Sequence, residues 1–277
     1  MNGALRTKSK INDLNLIDWK EYNDILTDSL WLIGERDKSG AHNNIYHGNF
    51  IPQIPNQLMR RFTKRGDVVL DAFLGHGTTL IESKRLGRHG IGIELIPKVA
   101  RAAKQNIDRE PSANDGKIFT KVIVADSTTK YAREKVLDAL NEINKTNVHM
   151  IILHPPYHDI IKFSAQKEDL CNASTVEQFT SKFGDVIENF IDLLDQNRYL
   201  AIVIGDKYTN SEWVPLGFYL MQETLKRGRG LKLKSILVKN MAGNRAKLNQ
   251  EHLWRYRALV GGFYIFKHEY ILVFKKA

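Results

Sequence analysis

Residues Asp67 to Leu95 read DVVLDAFLGHGTTLIESKRLGRHGIGIEL, and this stretch decides the fold. Val68, Val69 and Leu70 form a short apolar run with β-branched residues, the pattern of a strand buried on both faces. Asp71 ends the run, and Gly75-His76-Gly77 turns the chain with no side chain against the backbone at two positions. Thr78 and Thr79 are suited to cap a helix through about Leu86, which Gly87 and Gly90 close. Gly90 to Leu95 is then a second strand carrying Glu94. Strand, glycine loop, helix and strand make half of a doubly wound α/β unit, with ligand groups where the strands end.

The flanking sequence extends this pattern. On the N-terminal side, Tyr22, Ile25, Leu26, Leu30 and Ile33 recur at helical spacing, predicting a helix over Ile17 to Gly34. Asn56 is placed to cap a short helix through about Thr63. Residues 1–45 are therefore expected to form a helical extension of a main domain over 46–277. On the C-terminal side, Pro97 opens a helix through about Ile107, and Phe119 to Asp126 alternates into a third strand. A helix over Tyr131 to Ile143 precedes a fourth strand, His149 to Leu153. The clearest helix, Val176 to Leu194, leads to a fifth strand at Tyr199 to Ile204 and a helix from Pro215 to Arg227. Lys234 to Lys239 and His268 to Lys275 are two more strands with no convincing helix between them, which suggests an antiparallel pair at the sheet edge. The expectation is one doubly wound α/β domain with a mostly parallel seven-stranded sheet.

The chain has 277 residues and an ordinary apolar fraction of 43%. It contains no apolar run long enough to cross a bilayer, and MNGALRTKSK lacks the apolar core of a signal peptide, so a cytoplasmic location without membrane association is expected. The only cysteine, Cys171, lacks metal-site spacing, and no metal is expected. Lys and Arg total 41 against 31 Asp and Glu, a net charge of +10 that suits a polyanionic partner.

A dinucleotide site would show G-x-G-x-x-G facing a pyrophosphate, but Gly75-x-Gly77 has no third glycine at the right place and an acid, Asp71, stands before it. Glu94, at the end of the second strand, suits the hydroxyls of a ribose. The combination points to a nucleoside-like cofactor without a pyrophosphate, S-adenosylmethionine above all. The alternative is a turn that needs glycine only for packing. A second constellation, His154-Pro155-Pro156-Tyr157, follows the fourth strand. Two prolines stiffen the chain and fix the direction of the Pro155 carbonyl. A flat aromatic beside that carbonyl can stack on a base whose amino group the carbonyl holds. Prolines after a strand can also simply end it.

Together the two motifs resemble those of the amino-directed DNA methyltransferases, which methylate adenine N6 or cytosine N4. Asp71-Ala72-Phe73-Leu74-Gly75-His76-Gly77-Thr78-Thr79 matches that family's D-P-F-x-G-S-G-T-T loop apart from Ala72 and His76, and the tetrad matches Asp, Asn or Ser followed by Pro-Pro-Tyr or Pro-Pro-Phe apart from His154. The resemblance covers roughly residues 46 to 275. It implies a Rossmann-like class I methyltransferase fold, S-adenosylmethionine as cofactor, and duplex DNA as substrate with the target base flipped out. Asp71, Phe73, Gly75, Gly77 and Thr78 would shape the methionine end, Glu94 would bind the ribose, and Asp126 with Ser127 would lie near the adenine. Phe50, in the segment before the first strand, would pack on the cofactor. Tyr157 would stack on the base and the Pro155 carbonyl accept from its amino group, with Pro156 as the second stiffening residue.

His154 departs from the family pattern. Neutral imidazole accepts one hydrogen bond and imidazolium none. If His154 acts on the amino group, activity should fall below its pKa, whereas if it is turned away the Pro155 carbonyl acts alone. Lys162 after the tetrad, and Arg245, Lys247, Trp254, Arg255 and Arg257 in the basic and aromatic stretch 240–266, are the expected DNA contacts. A helix over Gln250 to Val260, with Leu253, Trp254 and Leu259 facing the core, fits the same pattern. Asp206 and Lys207 are expected to line the base pocket, with only a weak supporting role for Asp159. The family's large target-recognition segment is missing, so recognition is short or a separate specificity subunit or homodimer supplies it. The rival readings are an RNA or protein-glutamine methyltransferase and a catalytically silent nucleic-acid-binding subunit.

Overall fold

The computed structural model describes residues 11–43, 48–113, 118–241 and 251–277. A short 3-10 helix (Leu16–Glu21) and β1 (Leu30–Trp31) lead into α1 (Gln53–Phe62), β2 (Val68–Asp71), α2 (Thr78–Leu86) and β3 (His89–Glu94). Next come α3 (Pro97–Arg109), β4 (Thr120–Val124), α4 (Lys130–Asn141), β5 (Val148–Leu153), α5 (Val176–Ile191) and β6 (Leu194–Ile204). A hairpin of β7 (Lys207–Thr209) and β8 (Glu212–Val214) precedes α6 (Leu216–Arg227), β9 (Leu231–Asn240), α7 (Glu251–Gly261) and β10 (His268–Lys276).

Among the described residues, eight strands form one sheet in the order β1-β9-β10-β6-β5-β2-β3-β4. Strands β4, β3, β2, β5 and β6 run parallel, and β10 is antiparallel to both β6 and β9. Alternate residues supply the two layers. Val68, Leu70, Ile151 and Leu153 face the core under α4, α5 and α6, while Val69, Met150 and Ile152 face α1 on the other side. Helices α2 and α3 pack beside α1's layer through Leu80, Ile81, Ala103 and Ile107. The winding direction reverses between β2 and β5, and a sheet of this kind opens a ligand crevice at the carboxyl ends of those strands. Among the described residues, no helix is long and apolar enough to cross a membrane.

The expected helix over Ile17 to Gly34 does not form. Asn15 caps a six-residue 3-10 helix, and the chain beyond Tyr22 is largely extended. Its backbone is bonded by side chains from elsewhere: Leu26 N–H donates to Gln57, and Asn240 bonds both the N–H and the carbonyl of Ile33. Asn, Asp, Thr and Ser over residues 23–29 also favour turns over helix. Leu30 and Trp31 pair in parallel with β9, so this segment is an eighth strand of the main sheet. The antiparallel strand β10 lies inside the sheet between β6 and β9, and β1 takes the edge that the β9–β10 pair would otherwise form.

Other boundaries move for local reasons. Helix α1 starts at Gln53 with Pro55 inside its first turn, where the missing N–H costs nothing, and Asn56 is not its cap. Helix α2 is capped by Gly77 at φ 90°, with Thr79 engaged elsewhere, and Gly87 alone closes it at φ 76°. Gly90 instead lies in β3, where a Cβ would sit 2.7 Å from Leu80 of α2.

Candidate active site

A cleft of about 850 Å³ lies over the carboxyl ends of β2, β3, β4 and β5. Phe73, Gly75, Thr78, Glu94, Asp126 and Ser127 line it over β2, β3 and β4, and Phe50, His154, Pro155, Pro156 and Tyr157 line it as well. The two motifs read from sequence thus share one cavity.

The glycine loop spends its amides internally. Phe73 N–H donates to Asp71 Oδ1 at 2.9 Å, Leu74 N–H to the Ile93 carbonyl, Gly75 N–H to Glu94 Oε2 at 2.9 Å and Gly77 N–H to the Leu74 carbonyl. A loop with these amides engaged and Asp71, Glu94 and Asp126 around it is unsuited to phosphate. It suits a nucleoside with a cationic tail, and a sulfonium meets that description. Asp71 is buried and turned into the loop, where it also accepts from Thr79 Oγ1, so it shapes the wall without lining the cleft. Gly77 likewise stands behind the wall; a Cβ there would meet Ile107 at 3.0 Å.

Glu94 accepts Gly75 N–H on one oxygen and Ile96 N–H on the other, tying loop, β3 and the start of α3 together. Burial pushes its carboxyl up to about 7, against the pull of those two N–H groups. Burial likewise raises Asp71 to about 6, opposed by Thr79 and Phe73. Asp126 accepts the N–H and hydroxyl of Thr128, and Ser127 Oγ donates to the Ala72 carbonyl at 2.7 Å. Phe50 meets His154 edge-on at 4.8 Å, and Arg36 holds it in place by donating to its carbonyl.

Beyond β5, Tyr157 Oη donates to Glu269 Oε2 at 2.8 Å, and Glu269 Oε1 accepts from Lys239 Nζ at 3.0 Å. The Tyr157 ring lies against Gly205, where a Cβ would stand 2.7 Å from Cε2 and 3.3 Å from Cδ2. His154 Nε2 is 3.3 Å from Tyr157 Oη. Burial drives the His154 imidazole down to about 4, opposed by Glu269 and reinforced by Lys239. The fall in activity expected near the ordinary imidazole pKa therefore moves to about pH 4, and His154 is neutral from pH 5.5 to 8.

Asp206 and Lys207 both line the cleft. Asp206 accepts Gly217 N–H and Trp213 Nε1–H, anchoring α6 and the β7–β8 hairpin. Lys207 Nζ reaches His158 Nδ1 at 2.8 Å and Asp159 at 2.7 Å, fastening the loop after the tetrad. Trp254 lines the cleft, with the Arg257 guanidinium 5.3 Å from its ring centroid. Lys162, Arg255 and Arg257 are exposed outside the cleft, and Arg245 and Lys247 lie outside the described residues. Leu253 and Leu259 are exposed, contrary to the core-facing expectation, because α7 packs on the sheet through neither of them. Sequence reasoning missed Glu269, Lys239 and Gly205. No local signal marks them, because β9 also carries Lys232 and Lys234 and β10 also carries Lys275 and Lys276, and only the β9–β10 register pairs Glu269 with Lys239.

Residues 4–105 match a family model described as DNA methylase. Over 81 residues the chain is 35% identical to the type II methyltransferase M.MjaII of Methanocaldococcus jannaschii, covering 29% of this chain and 14% of that protein. It is 34% identical over 103 residues to the type II methyltransferase M2.DpnII of Streptococcus pneumoniae, covering 36% of this chain and 35% of that protein. The matched segments thus span 14% and 35% of these relatives' own lengths. TrmN from Thermus thermophilus shares the fold at a TM-score of 0.50 and 16% identity, covering 83% of this chain and 50% of that one. These findings define a Rossmann-like α/β fold, and S-adenosylmethionine is the cofactor that the similarity to methyltransferases supports. Over residues 4–105 the chain is similar to the DNA methylases, and the relatives it matches there are type II methyltransferases.

Proposed function

We propose that this protein transfers a methyl group from S-adenosylmethionine to the exocyclic amino group of a base flipped out of duplex DNA, adenine N6 ahead of cytosine N4. One observation carries the reading: a single cleft holds the amide-satisfied glycine loop with Glu94 and Asp126 at one end and Pro155-Pro156-Tyr157 at the other. In this reading Glu94 accepts from the ribose hydroxyls, Asp126 and Ser127 border the adenine, and Phe50 and Phe73 pack on the cofactor. Bound there, S-adenosylmethionine supplies an electrophilic methyl group on a sulfonium.

This chain's own part is to position and polarise the amine. An aromatic amino group has its lone pair delocalised into the ring, and acceptors on its hydrogens draw that pair out. The rigid Pro155 carbonyl is one such acceptor, and the Tyr157 ring fixes the plane of the base. Extruding the base costs a few kcal/mol, which stacking on Tyr157 helps offset. Exposed Arg255 and Arg257, just after the cleft residue Trp254 in sequence, and exposed Lys162, between the cleft residues Ile161 and Phe163, supply phosphate contacts.

The test offers DNA, RNA and protein in parallel with methyl-labelled cofactor, followed by digestion of the DNA to nucleosides and mass spectrometry. The expected product is N6-methyldeoxyadenosine. N4-methyldeoxycytidine would correct the base, label only in RNA or protein would overturn the substrate, and cofactor binding without transfer to any of the three would favour a silent binding subunit.

A further inference from the structure

Side chains from three elements make one hydrogen-bonded row at the substrate end of the cleft. Glu269 of β10 takes Lys239 Nζ on Oε1 at 3.0 Å and Tyr157 Oη on Oε2 at 2.8 Å. Glu269 and Lys239 are cross-strand partners, and both are buried. His154 Nε2 reaches the Tyr157 hydroxyl at 3.3 Å, the long end of a hydrogen bond, with the two rings edge-on. A hydroxyl has one proton to give, and a carboxylate paired with a lysine can only accept. The Tyr157 proton therefore goes to Glu269, and its oxygen is left to accept from His154. An imidazole that donates through Nε2 keeps its lone pair on Nδ1.

We propose that Glu269, acting through Tyr157, holds His154 in the Nε2–H tautomer, so that Nδ1 serves as the acceptor that an Asp, Asn or Ser oxygen provides at this position in the family pattern. The proposal rests on the amino-methylation reading for its use: Nδ1 takes one hydrogen of the target amino group while the Pro155 carbonyl takes the other. With both hydrogens held, the nitrogen lone pair turns out of conjugation. His154 touches the substrate in this arrangement, and Glu269 is a positioning residue. The row also accounts for a tyrosine where a phenylalanine would stack equally well.

Two measurements test it on the full chain. Nitrogen NMR of histidine-labelled protein, with His154 assigned through H154N, should show Nε2 protonated and Nδ1 bare. Tyr157→Phe should abolish that preference, as should Glu269→Leu combined with Lys239→Met, which removes the buried pair together and strands no charge. In kinetics, Tyr157→Phe should lower kcat about tenfold with KM little changed, the loss of one positioned hydrogen bond. In the H154N background, where the amide oxygen accepts without help, the same change should cost less than about twofold. A wild-type protein carrying the proton on Nδ1, or an equal cost of Tyr157→Phe in both backgrounds, would overturn the proposal. The spectrum needs no substrate, so a failure to methylate DNA would remove the substrate reading while the tautomer still decides the row.

Discussion

The two ends of the cleft are built differently. At the cofactor end, contacts join near neighbours in the chain: Gly75 to Glu94 spans 19 residues and Asp71 to Thr79 spans 8. At the substrate end they join distant ones: Tyr157 to Glu269 spans 112 residues. The glycine loop of the first end is a property of one β-α-β unit, to which β4 adds Asp126 and Ser127, the latter bonded to the Ala72 carbonyl. The second exists only once the β9–β10 hairpin has docked beside β6 and brought Glu269 to Tyr157. A lesion at one end should therefore leave the other intact.

The largest expected effect breaks the substrate end alone. Gly205 ends against the Tyr157 ring, and an added Cβ would stand 2.7 Å from Cε2. The ring cannot slide freely, because its hydroxyl is held by Glu269. Gly205→Ala should therefore tilt the ring, and a displacement of about 1 Å at a positioning residue lowers kcat on the order of 10²-fold. Cofactor affinity, measured by calorimetry, should stay within about twofold of wild type, since neither group belongs to the glycine loop. Equal losses of kcat and cofactor affinity would mean the two ends are one unit.

The second prediction breaks the cofactor end. Glu94 is raised to about 7 by burial, so it loses its charge as pH falls through that value, and with it the acceptor strength that the proposed ribose contact would use. Cofactor affinity should rise from pH 6 to 8 in wild type, and Glu94→Gln should lower it by about tenfold at pH 8 and flatten the profile, the cost of losing hydrogen bonds to a charged acceptor. Stability runs the opposite way. Because the folded pKa lies above the unfolded value of 4.5, the folded state binds the proton more tightly, and this contribution is lost as pH rises through about 7. Asp71 adds the same sign up to about 6. Chemical denaturation of cofactor-free protein between pH 5 and 8 checks this, and Glu94→Gln should reduce the slope.

The same contrast explains what was legible in the sequence. The order of parallel strands, the glycine loop and the tetrad follow from local apolar period and turn chemistry, and strands β2 to β5 stand within a few residues of their predicted bounds. The parts that were not legible depend on distant partners. Residues 17–34 carry a helical spacing of apolar residues, yet Gln57 and Asn240 capture their backbone and β9 pairs with them as a strand. The role of Glu269 is invisible without the register that sets it opposite Lys239, and that of Gly205 without the Tyr157 ring. Tertiary hydrogen bonds outweighed local periodicity at the N-terminal end, and at the tetrad they decided which nitrogen of His154 faces which group.

The smallest expected effect tests whether the substrate end continues onto α7. Arg255 and Arg257 are exposed there, beside exposed Tyr256, and Trp254 of the same helix lines the cleft. If this face lies on the DNA backbone, Arg255→Ala and Arg257→Ala should each weaken binding to a short duplex a few-fold. Each should also reduce the slope of log affinity against log salt by about 0.9, the counterions released per phosphate neutralised. Arg257→Ala should cost more, because its guanidinium lies 5.3 Å from the Trp254 ring centroid and its loss frees that ring as well. Fluorescence anisotropy between 50 and 200 mM salt reads both quantities, with cofactor affinity as the control that should not move. Unchanged slopes would take the DNA off α7, and the exposed Leu253, Leu259 and Val260 on that helix would then be better explained by a protein surface than by a nucleic acid.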